Sequence, residues 1–470
     1  MSNGQQPFDY DLAILGGGSA GYAAARTVAA AGLRTVVIEG GKEIGGLCIL
    51  RGCMPTKALL YAAEVRHLAQ YGGLWGMKRG DVRFDWGAVL ARKDGLIKEF
   101  ADDRARELTS GRFDFVRALA RFTDAHTLSL SDGRSLSAKF FVISTGSKVA
   151  QPPLPQLAGV GYLNSDEALA LPRLPKSIIV LGGGAVAVEF AQLFARFDVD
   201  VTLIQRGEHL LKDFDLDAAS VLESVFLREG IKLYLNTRLV DAYREGGRKT
   251  VTFQHQGRKT EVQAEEILFA LGRNPNTASL DLDRAGVVTD GGRVVANARM
   301  QTSAPHIYAA GDCTGPHEIV HIAVQQGEIA AHNMAHPDLP RTIDYRLLVT
   351  VVFTEPQLAR VGLTEKEAQA RNIPYLAASY PFRDHGKSLI MEARDGFVKL
   401  LADPKSGEIL GGGCAGPLGG ELIHEIIAAM AGRLTAPQLA SMPHYHPTLA
   451  EIWAYPAENI AERIVGPKTR

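Results

Sequence analysis

Apolar segments that run directly into glycines, each followed by a helical stretch, form the strongest pattern in the chain. The first apolar segment runs from Asp9 to Leu15. It is followed by an alanine-rich stretch at 20–31 and then by a second apolar segment, Arg34 to Glu39. An apolar run of this length predicts a buried strand, and its alternation with a helix predicts a βαβ unit. The same order recurs at 177–181 and Asp200 to Ile204, with a helix between them. The chain is therefore predicted to contain two βαβ units.

Glycines at the first strand-to-helix turn predict a dinucleotide site. They have the spacing Gly16-x-Gly18-x-x-Gly21, and Ser19 and Ala20 lie at the start of the helix. The glycines permit a tight turn, close approach of the backbone to a pyrophosphate, and close packing of helix on strand. The helix N-terminus presents amides and the positive end of its dipole to the phosphates.

The second unit carries the related sequence Gly182-x-Gly184-x-x-Ala187. In the first unit, Glu39 stands 18 residues after the last glycine and can accept hydrogen bonds from both ribose hydroxyls. The same count from Ala187 leads to Gln205, which is neutral. The two sites therefore differ at the residue that would contact the ribose.

Two cations follow this neutral position, Arg206 directly and Lys212 after one short loop. A carboxylate would repel a ribose 2′-phosphate, whereas a neutral side chain with two cations would attract it. The sequence therefore favours NADPH over NADH at the second site. The alternative, that both cations are only solvated surface charges, stays open.

A cysteine pair, Cys48 and Cys53, follows the first nucleotide unit. Residues five apart in a straight helix have Cα atoms roughly 8.6 Å apart, beyond the reach of a disulfide, so we expect a distorted first turn at Gly52 and Pro55. A helix N-terminus and Arg51 would stabilise a thiolate. The alternatives are two unpaired buried cysteines or a zinc site, for which no second ligand pair has suitable spacing.

Composition limits the class of protein. The chain has 470 residues, 46% of them apolar and 22% charged, which predicts a packed protein of about two to four domains. A net charge of -1 gives no reason to expect nucleic acid or an acidic membrane as partner. The chain has no apolar run long enough to span a bilayer, and its first eleven residues are polar, without the apolar core of a signal peptide. Four cysteines are too few for a framework of structural disulfides. We therefore expect a cytoplasmic protein.

Five motifs in order resemble the pyridine nucleotide–disulfide oxidoreductase family, the flavoproteins that include lipoamide dehydrogenase, glutathione reductase and mercuric reductase. The motifs are Gly45-Gly46-Leu47-Cys48-Ile49-Leu50-Arg51-Gly52-Cys53-Met54-Pro55-Thr56-Lys57, Thr145-Gly146-Ser147, Gly272-Arg273-Asn274-Pro275-Asn276, Ile307-Tyr308-Ala309-Ala310-Gly311-Asp312, and His444-Tyr445-His446-Pro447-Thr448-Leu449-Ala450-Glu451. Leu47 and Leu50 depart from the family's usual Thr and Asn. The resemblance covers nearly the whole chain.

This resemblance implies an α/β fold with two Rossmann-like nucleotide-binding domains, for FAD and NAD(P), and a C-terminal α+β dimerisation domain. The implied boundaries are 1–150 for the first part of the FAD-binding domain and 151–276 for the NAD(P)-binding domain. The second, central part of the FAD-binding domain would span 277–343, and the interface domain 344–470. A homodimer is implied with it.

The resemblance also assigns catalytic roles. Cys48 would be the interchange thiol, and Cys53 would lie against the flavin as the charge-transfer thiolate. Lys57 and Glu189 match the family's ion pair beside the flavin.

The C-terminal motif supplies the proton-transfer group. His446 would be the acid–base, oriented by Glu451 and contributed by the other subunit of the dimer, and His444 is the weaker candidate. Thiol–disulfide exchange needs such a group, and histidine both donates and accepts protons near neutral pH.

Further cofactor-binding positions follow from the same resemblance. Asp312 would bind the ribityl chain of the flavin, and Ala120 stands where the family often has a glycine near the adenine. The remaining implied positions are Thr145, Gly146, His321, Gly272 and Arg273.

One competing motif points elsewhere. His317-Glu318-Ile319-Val320-His321 has the H-E-x-x-H spacing of zinc proteases. It begins five residues after Asp312, where the family places a segment that covers the flavin, so we expect no metal site.

The predicted function is an FAD-dependent oxidoreductase that passes electrons from NADPH, or NADH, to a small disulfide through Cys48 and Cys53. The first alternative is dihydrolipoyl dehydrogenase acting in the oxidative direction with NAD⁺. Transfer to quinones or metal ions that bypasses His446, and a non-catalytic docking role, are the others.

Overall fold

The computed structural model of the protein describes residues 8–78, 82–315 and 317–465. Its α-helices are α1 (Ser19–Ala29), α2 (Gly46–Arg51), α3 (Cys53–Tyr71), α4 (Trp86–Leu108), α5 (Pro155–Val160), α6 (Ser165–Leu169), α7 (Ala185–Arg196), α8 (Leu216–Arg228), α9 (Val320–Ala335), α10 (Glu365–Ala370), α11 (Gly386–Ile390), α12 (Gly419–Ala431), α13 (Ala436–Ser441) and α14 (Ala454–Val465). No helix within these described residues is long and apolar enough to cross a membrane.

The strands are β1 (Tyr10–Leu15), β2 (Thr35–Ile38), β3 (Asp114–Val116), β4 (Ala120–Phe122), β5 (Thr127–Leu130), β6 (Ser135–Ile143), β7 (Ser147–Val149), β8 (Ser177–Leu181), β9 (Asp200–Ile204), β10 (Lys232–Tyr234), β11 (Thr237–Glu245), β12 (Arg248–His255), β13 (Arg258–Ala264), β14 (Glu266–Phe269), β15 (Arg273–Pro275), β16 (Thr289–Asp290), β17 (Arg293–Val294), β18 (Ile307–Ala309), β19 (Val349–Val352), β20 (Gln357–Gly362), β21 (Leu376–Pro381), β22 (Phe397–Ala402) and β23 (Ile409–Gly416).

A parallel sheet organises the first compact unit, which comprises residues 8–58, 88–151 and 272–343. Its strands lie in the order β3-β2-β1-β6, with β18 added parallel to β6 and β4-β5 added as an antiparallel extension. Because β1 from Leu12 onward and all of β2 are buried, they are nearly continuous apolar runs rather than alternating ones. Helices α1 and α9 approach so closely that a Cβ on Gly327 would lie 2.2 Å from the carbonyl oxygen of Ala20.

The second unit comprises residues 59–87, 152–271 and 344–465. A parallel sheet, β10-β9-β8-β14, and an antiparallel sheet, β11-β12-β13, form one part of it. A five-stranded antiparallel sheet, β19-β20-β23-β22-β21, forms the other part, and its core includes side chains of α12 and α14 and the fully buried Trp453.

Most predicted elements are present with small shifts at their ends. β8 and β9 have the predicted bounds, and β1, α1 and β2 differ from prediction by one or two residues at their ends, the usual uncertainty at helix and strand termini. The two parallel sheets with their helices, together with the antiparallel C-terminal sheet, confirm the predicted fold class. β15 pairs antiparallel with β7 within the first unit, through Arg273 and Val149.

A buried ion cluster in the second unit was not predicted. The Lys399 ammonium on β22 lies 2.5 Å from a carboxylate oxygen of Asp217, 2.7 Å from one of Glu365 and 3.3 Å from one of Asp215. Burial acts against the charge, but hydrogen bonds to Asp217 and Glu365 outweigh it and raise the pKa of Lys399 to about 12. The cluster therefore links α8, α10 and β22 through one cation.

We expect Lys399→Met to lower the free energy of unfolding by roughly 2–3 kcal/mol, because three carboxylates lose their shared cation. All three tryptophans, Trp75, Trp86 and Trp453, belong to this unit, so urea denaturation followed by tryptophan fluorescence measures the loss. Lys405→Met, at an exposed position, is the control. Equal stability of the two variants would contradict the prediction.

Candidate active site

The first glycine turn has no room for side chains. A Cβ on Gly16 would lie 2.5 Å from the carbonyl oxygen of Ser144, and one on Gly21 would lie 1.8 Å from the carbonyl oxygen of Gly16. Helix α1 begins after Gly18 with no side-chain cap and no acidic residue in its first turn. Its first amides, beginning with that of Ser19, are therefore available to an anion.

Glu39 is held at the end of β2 by the backbone of this turn. The amide of Gly17 donates to its Oε2 at 2.8 Å, and the amide of Gly41 donates to its Oε1 at 2.6 Å. The carboxylate stands beside the glycine turn and keeps further lone pairs for ribose hydroxyls. Ala120, by contrast, packs against the core of the sheet.

A second group of predicted cofactor residues meets at Ser147. Its hydroxyl donates to Oδ2 of Asp312 at 2.7 Å and accepts from Nε of Arg273 at 2.8 Å. Thr145 has a buried hydroxyl with no hydrogen-bond partner among the described residues, and Gly146 has a φ of 68° that favours glycine. These residues and the first turn belong to the same unit and fit a dinucleotide such as FAD. Sequence reasoning quoted Ser147 in a motif but gave it no role.

The second glycine turn has the same geometry in the second unit. A Cβ on Gly182 would lie 2.4 Å from the carbonyl oxygen of Ala270, whereas one on Gly184 would have no atom within 4 Å. Ala187 is fully buried, and the side chain of Gln205 lies against Gly183, 2.7 Å from the position of a Cβ there. This turn also fits a dinucleotide phosphate.

Arg206 and Lys212, the two cations expected at this turn, are exposed. Within the described residues neither side chain forms a salt bridge. Arg206 donates its backbone amide to Oε1 of Gln205 at 3.0 Å. Both charges are therefore available to a ligand.

The thiols of Cys48 and Cys53 face each other across a break between two helices. Helix α2 ends at Arg51, α3 begins at Cys53, and Gly52 between them is non-helical. A Cβ on Gly52 would lie 3.0 Å from the carbonyl oxygen of Leu47 and 3.3 Å from Cα of Cys48. The expected distortion is present as this interruption, and both cysteines are half-buried thiols.

Neighbouring groups shift the pKa of the Cys48 thiol in opposite directions. The hydrogen bond with Cys53 is the largest effect, and with burial it raises the pKa of the Cys48 thiol, while the charges of Arg104 and Lys57 lower it. Arg51, expected to stabilise the thiolate, forms an ion pair with Glu43 at 2.5 Å. Its effect on the thiolate stays a prediction.

Arg104 on α4 was missed by the sequence analysis. Its guanidinium lies 4.0 Å from the ring centre of Tyr22, and its Nη1 is buried with no hydrogen-bond partner in the described part of the chain. Burial lowers the pKa of Arg104. No motif marks this residue, since only tertiary packing brings α4 to the thiols.

His446 and Glu451 form a hydrogen-bonded pair, as expected. Nδ1 of His446 lies 2.9 Å from Oε2 of Glu451, and the histidine side chain is 77% exposed in the single subunit. His444, the weaker candidate, is buried with Nε2 2.7 Å from Oε1 of Glu425. Its other ring nitrogen lies 3.1 Å from the carbonyl oxygen of Met442. His446 is therefore the histidine that can exchange protons with a ligand.

Three more of the predicted positions lie on helices. Lys57 is on α3, and His321 is the second residue of α9. Glu189 is buried on α7 and accepts the amide of Phe353 at 2.9 Å. The pairing of Lys57 with Glu189 stays a prediction.

The H-E-x-x-H segment does not lie on one helix, because α9 begins only at Val320. His317 and His321 are therefore not the one-turn pair that the zinc-protease motif requires. Within the part of the chain that the structure describes, no three His, Cys, Asp or Glu side chains are grouped to hold a metal ion.

Comparison with known proteins agrees with this geometry. Residues 10–327 match the pyridine nucleotide-disulphide oxidoreductase family, and residues 348–457 match its dimerisation domain. A dihydrolipoyl dehydrogenase of Bacillus subtilis is 32% identical over 97% of this chain and 98% of its own. One from Mycobacterium leprae is 35% identical over 94% of this chain and 96% of its own.

Solved structures give the same result. The HOCl-induced flavoprotein disulfide reductase RclA from Escherichia coli superposes with a TM-score of 0.85 at 26% identity, over 96% of this chain and 99% of its own. LpdA from Mycobacterium tuberculosis superposes with a TM-score of 0.87 at 28% identity over the same shares.

The chain belongs to the pyridine nucleotide-disulphide oxidoreductase family. It is a flavoprotein oxidoreductase that uses FAD and a nicotinamide dinucleotide, and its dimerisation domain implies a homodimer.

We expect Arg104→Met to raise the pKa of Cys48, because a nearby positive charge that favours the thiolate is lost. At a fixed pH the fully reduced protein should react with iodoacetamide at Cys48 about two- to tenfold more slowly, measured by mass spectrometry. Arg106→Met, on the exposed side of the same helix, is the matched control. Equal alkylation rates in both variants would exclude Arg104 as the cation that acts on this thiol.

Proposed function

We propose that the protein reduces a small disulfide with electrons from NADPH, through FAD and the Cys48–Cys53 pair. The contact of the two thiols across the Gly52 break carries this proposal. Two sulfurs held in this way can form and break one disulfide without rearranging a helix.

The chemistry follows from the two thiols. The Cys48 thiolate attacks one sulfur of the substrate, the substrate disulfide breaks, and a mixed disulfide forms as the first substrate thiolate leaves. The Cys53 thiolate then attacks Cys48, which releases the second substrate thiolate and forms the Cys48–Cys53 disulfide. The substrate gains two electrons, and the cysteine pair loses two.

His446 is proposed to move the protons of this exchange. Its Nε2 protonates each departing thiolate, while Nδ1 stays bound to Glu451, which fixes the ring. We propose that the histidine acts on the thiol pair of the partner subunit, as the family resemblance implies.

The cofactor sites complete the electron balance. Bound FAD supplies the two-electron transfer from the nicotinamide hydride to the Cys48–Cys53 disulfide. Glu39 and the α1 amides would hold its adenosine and pyrophosphate, and Asp312 its ribityl chain. Gln205 beside the exposed cations Arg206 and Lys212 supports NADPH as the donor.

Dihydrolipoyl dehydrogenase activity is the second candidate, because relatives 32–35% identical carry that name. In that reaction the same thiols would take electrons from a dithiol and pass them to NAD⁺. Comparing dihydrolipoamide plus NAD⁺ with small disulfides plus NADPH separates the two functions.

Replacing the interchange thiol tests the disulfide mechanism. We expect Cys48→Ser to reduce disulfide turnover by more than about a hundredfold, because the nucleophile is lost. Transfer to quinones, which needs no thiol, should persist in it. Cys414→Ala, at a buried position, is the control. Disulfide reduction at the wild-type rate by the Cys48→Ser protein would refute the mechanism.

The nicotinamide preference has its own test. We expect Gln205→Glu to weaken NADPH binding relative to NADH by about tenfold or more, because the new carboxylate repels the 2′-phosphate. Anaerobic titration of the flavin absorbance with each nucleotide measures both affinities. Glu208→Gln, at an exposed position of the same loop, is the control. A wild-type protein that binds NADH more tightly than NADPH would move the assignment to the second candidate.

A further inference from the structure

A second histidine lies behind the His446–Glu451 pair. His385 is fully buried, and its Nε2 lies 3.2 Å from Oε1 of Glu451. Its Nδ1 lies 2.8 Å from Oγ of Ser388, which is also fully buried. Since Oε2 of Glu451 binds His446, a continuous chain of four side chains leads from the protein interior to the exposed imidazole.

The contact between His385 and Glu451 compensates two buried polar atoms. Among the described residues, neither Nε2 of His385 nor Oε1 of Glu451 has another hydrogen-bond partner, and the 3.2 Å contact between them lies at ion-pair distance without ideal hydrogen-bond geometry. A buried carboxylate oxygen without a donor is costly, and so is a buried imidazole N–H without an acceptor. Each atom therefore meets the requirement of the other.

The proton positions follow from burial. Burial is the largest effect on His385 and lowers its pKa, so the ring is neutral near pH 7 and carries one N–H. Placing this hydrogen on Nε2 directs it at the carboxylate and lets Nδ1 accept the hydroxyl hydrogen of Ser388. The opposite tautomer would turn a lone pair toward Glu451.

The surroundings fix this ring. The backbone amide of His385 donates to the carbonyl of Phe382 at 3.1 Å, and its carbonyl accepts the amide of Leu389 at 3.0 Å. Tyr455 on α14 meets the imidazole edge to face at 6.3 Å and stacks on Tyr380 of β21 at 4.0 Å. Among the described residues, the charges that act on the pKa of His385 are those of Glu451, which raises it, and His446, which lowers it.

We propose that His385 is a positioning residue for proton transfer by His446: it donates to the second oxygen of Glu451 and so fixes the carboxylate that orients the exposed imidazole. This inference rests on the proposed disulfide reductase function. In this proposal Ser388 orients His385, His385 orients Glu451, and Glu451 orients His446, which transfers the proton. We call this series of contacts the relay.

Two substitutions at His385 test the role. His385→Met keeps the volume but removes the donor, whereas His385→Gln can place an amide N–H near the position of Nε2. In the Met variant we expect kcat for disulfide reduction to fall about tenfold to a hundredfold. The imidazole of His446 would be misoriented, so it would still act as the acid–base but less efficiently. We expect the Gln variant to recover most of this loss.

The pH profile separates positioning from general damage. Without its donor, the Glu451 carboxylate holds the proton of His446 more tightly, so the midpoint of the pH–rate profile should move upward in the Met variant. The Gln variant should return it to the wild-type midpoint. A Met variant with the wild-type kcat and the wild-type pH profile would overturn the proposal.

A readout independent of turnover distinguishes this proposal from the proposed function. Modification of His446 by diethyl pyrocarbonate against pH, followed by mass spectrometry of the flavin-loaded dimer, measures its protonation without a substrate. A shifted modification curve in the Met variant supports the relay even if no tested disulfide is reduced, in which case only the proposed function fails. An unshifted curve overturns the relay whatever the substrate.

Ser388→Ala covers the case in which the Met variant does not fold. It removes the buried hydroxyl that donates to Nδ1 of His385. We expect a shift of the modification curve in the same direction and of smaller size. No shift in the Ser388→Ala protein would then overturn the proposal.

Discussion

The break at Gly52 is the constraint on which the proposed chemistry depends. It separates α2 from α3 and turns the sulfurs of Cys48 and Cys53 toward each other. The backbone at Leu47 and Cys48 lies so close that any side chain at this position would push against it. Arg104 and Lys57 act on Cys48 through their charges, and the first glycine turn lies next to the same segment, with a Cβ on Gly46 2.7 Å from Cα of Gly18.

Charge around the thiols comes both from a residue close in sequence, Lys57, and from one that folding brings near, Arg104. Arg51 is adjacent to the pair in sequence, and it forms an ion pair with Glu43. Arg104 lies about fifty positions away along the chain, and its charge reaches Cys48 because α4 packs near Tyr22. The half-buried position of Arg104 makes this charge less screened than that of an exposed residue.

Motifs with a local physical cause could be predicted from the sequence, and contacts between distant segments could not. Glycine turns, β8 and β9, the cysteine pair and the His446–Glu451 pair all follow from residues within a few positions of each other. The cluster at Lys399 joins three elements, and His385 approaches Glu451 from another turn of the chain. These contacts depend on how strands of the C-terminal sheet are ordered, for which a single sequence carries no signal. The H-E-x-x-H segment shows the opposite case, a motif without its helix.

The fixed orientation of Glu39 has a consequence for the entropy of ligand binding. The amides of Gly17 and Gly41 hold its carboxylate from the chain's own backbone, so its orientation belongs to the fold. A ligand that binds this carboxylate does not have to restrict a freely rotating side chain, and the entropy of that ordering is lost during folding instead. The carboxylate of Glu39 is thus held in one orientation before any ligand arrives.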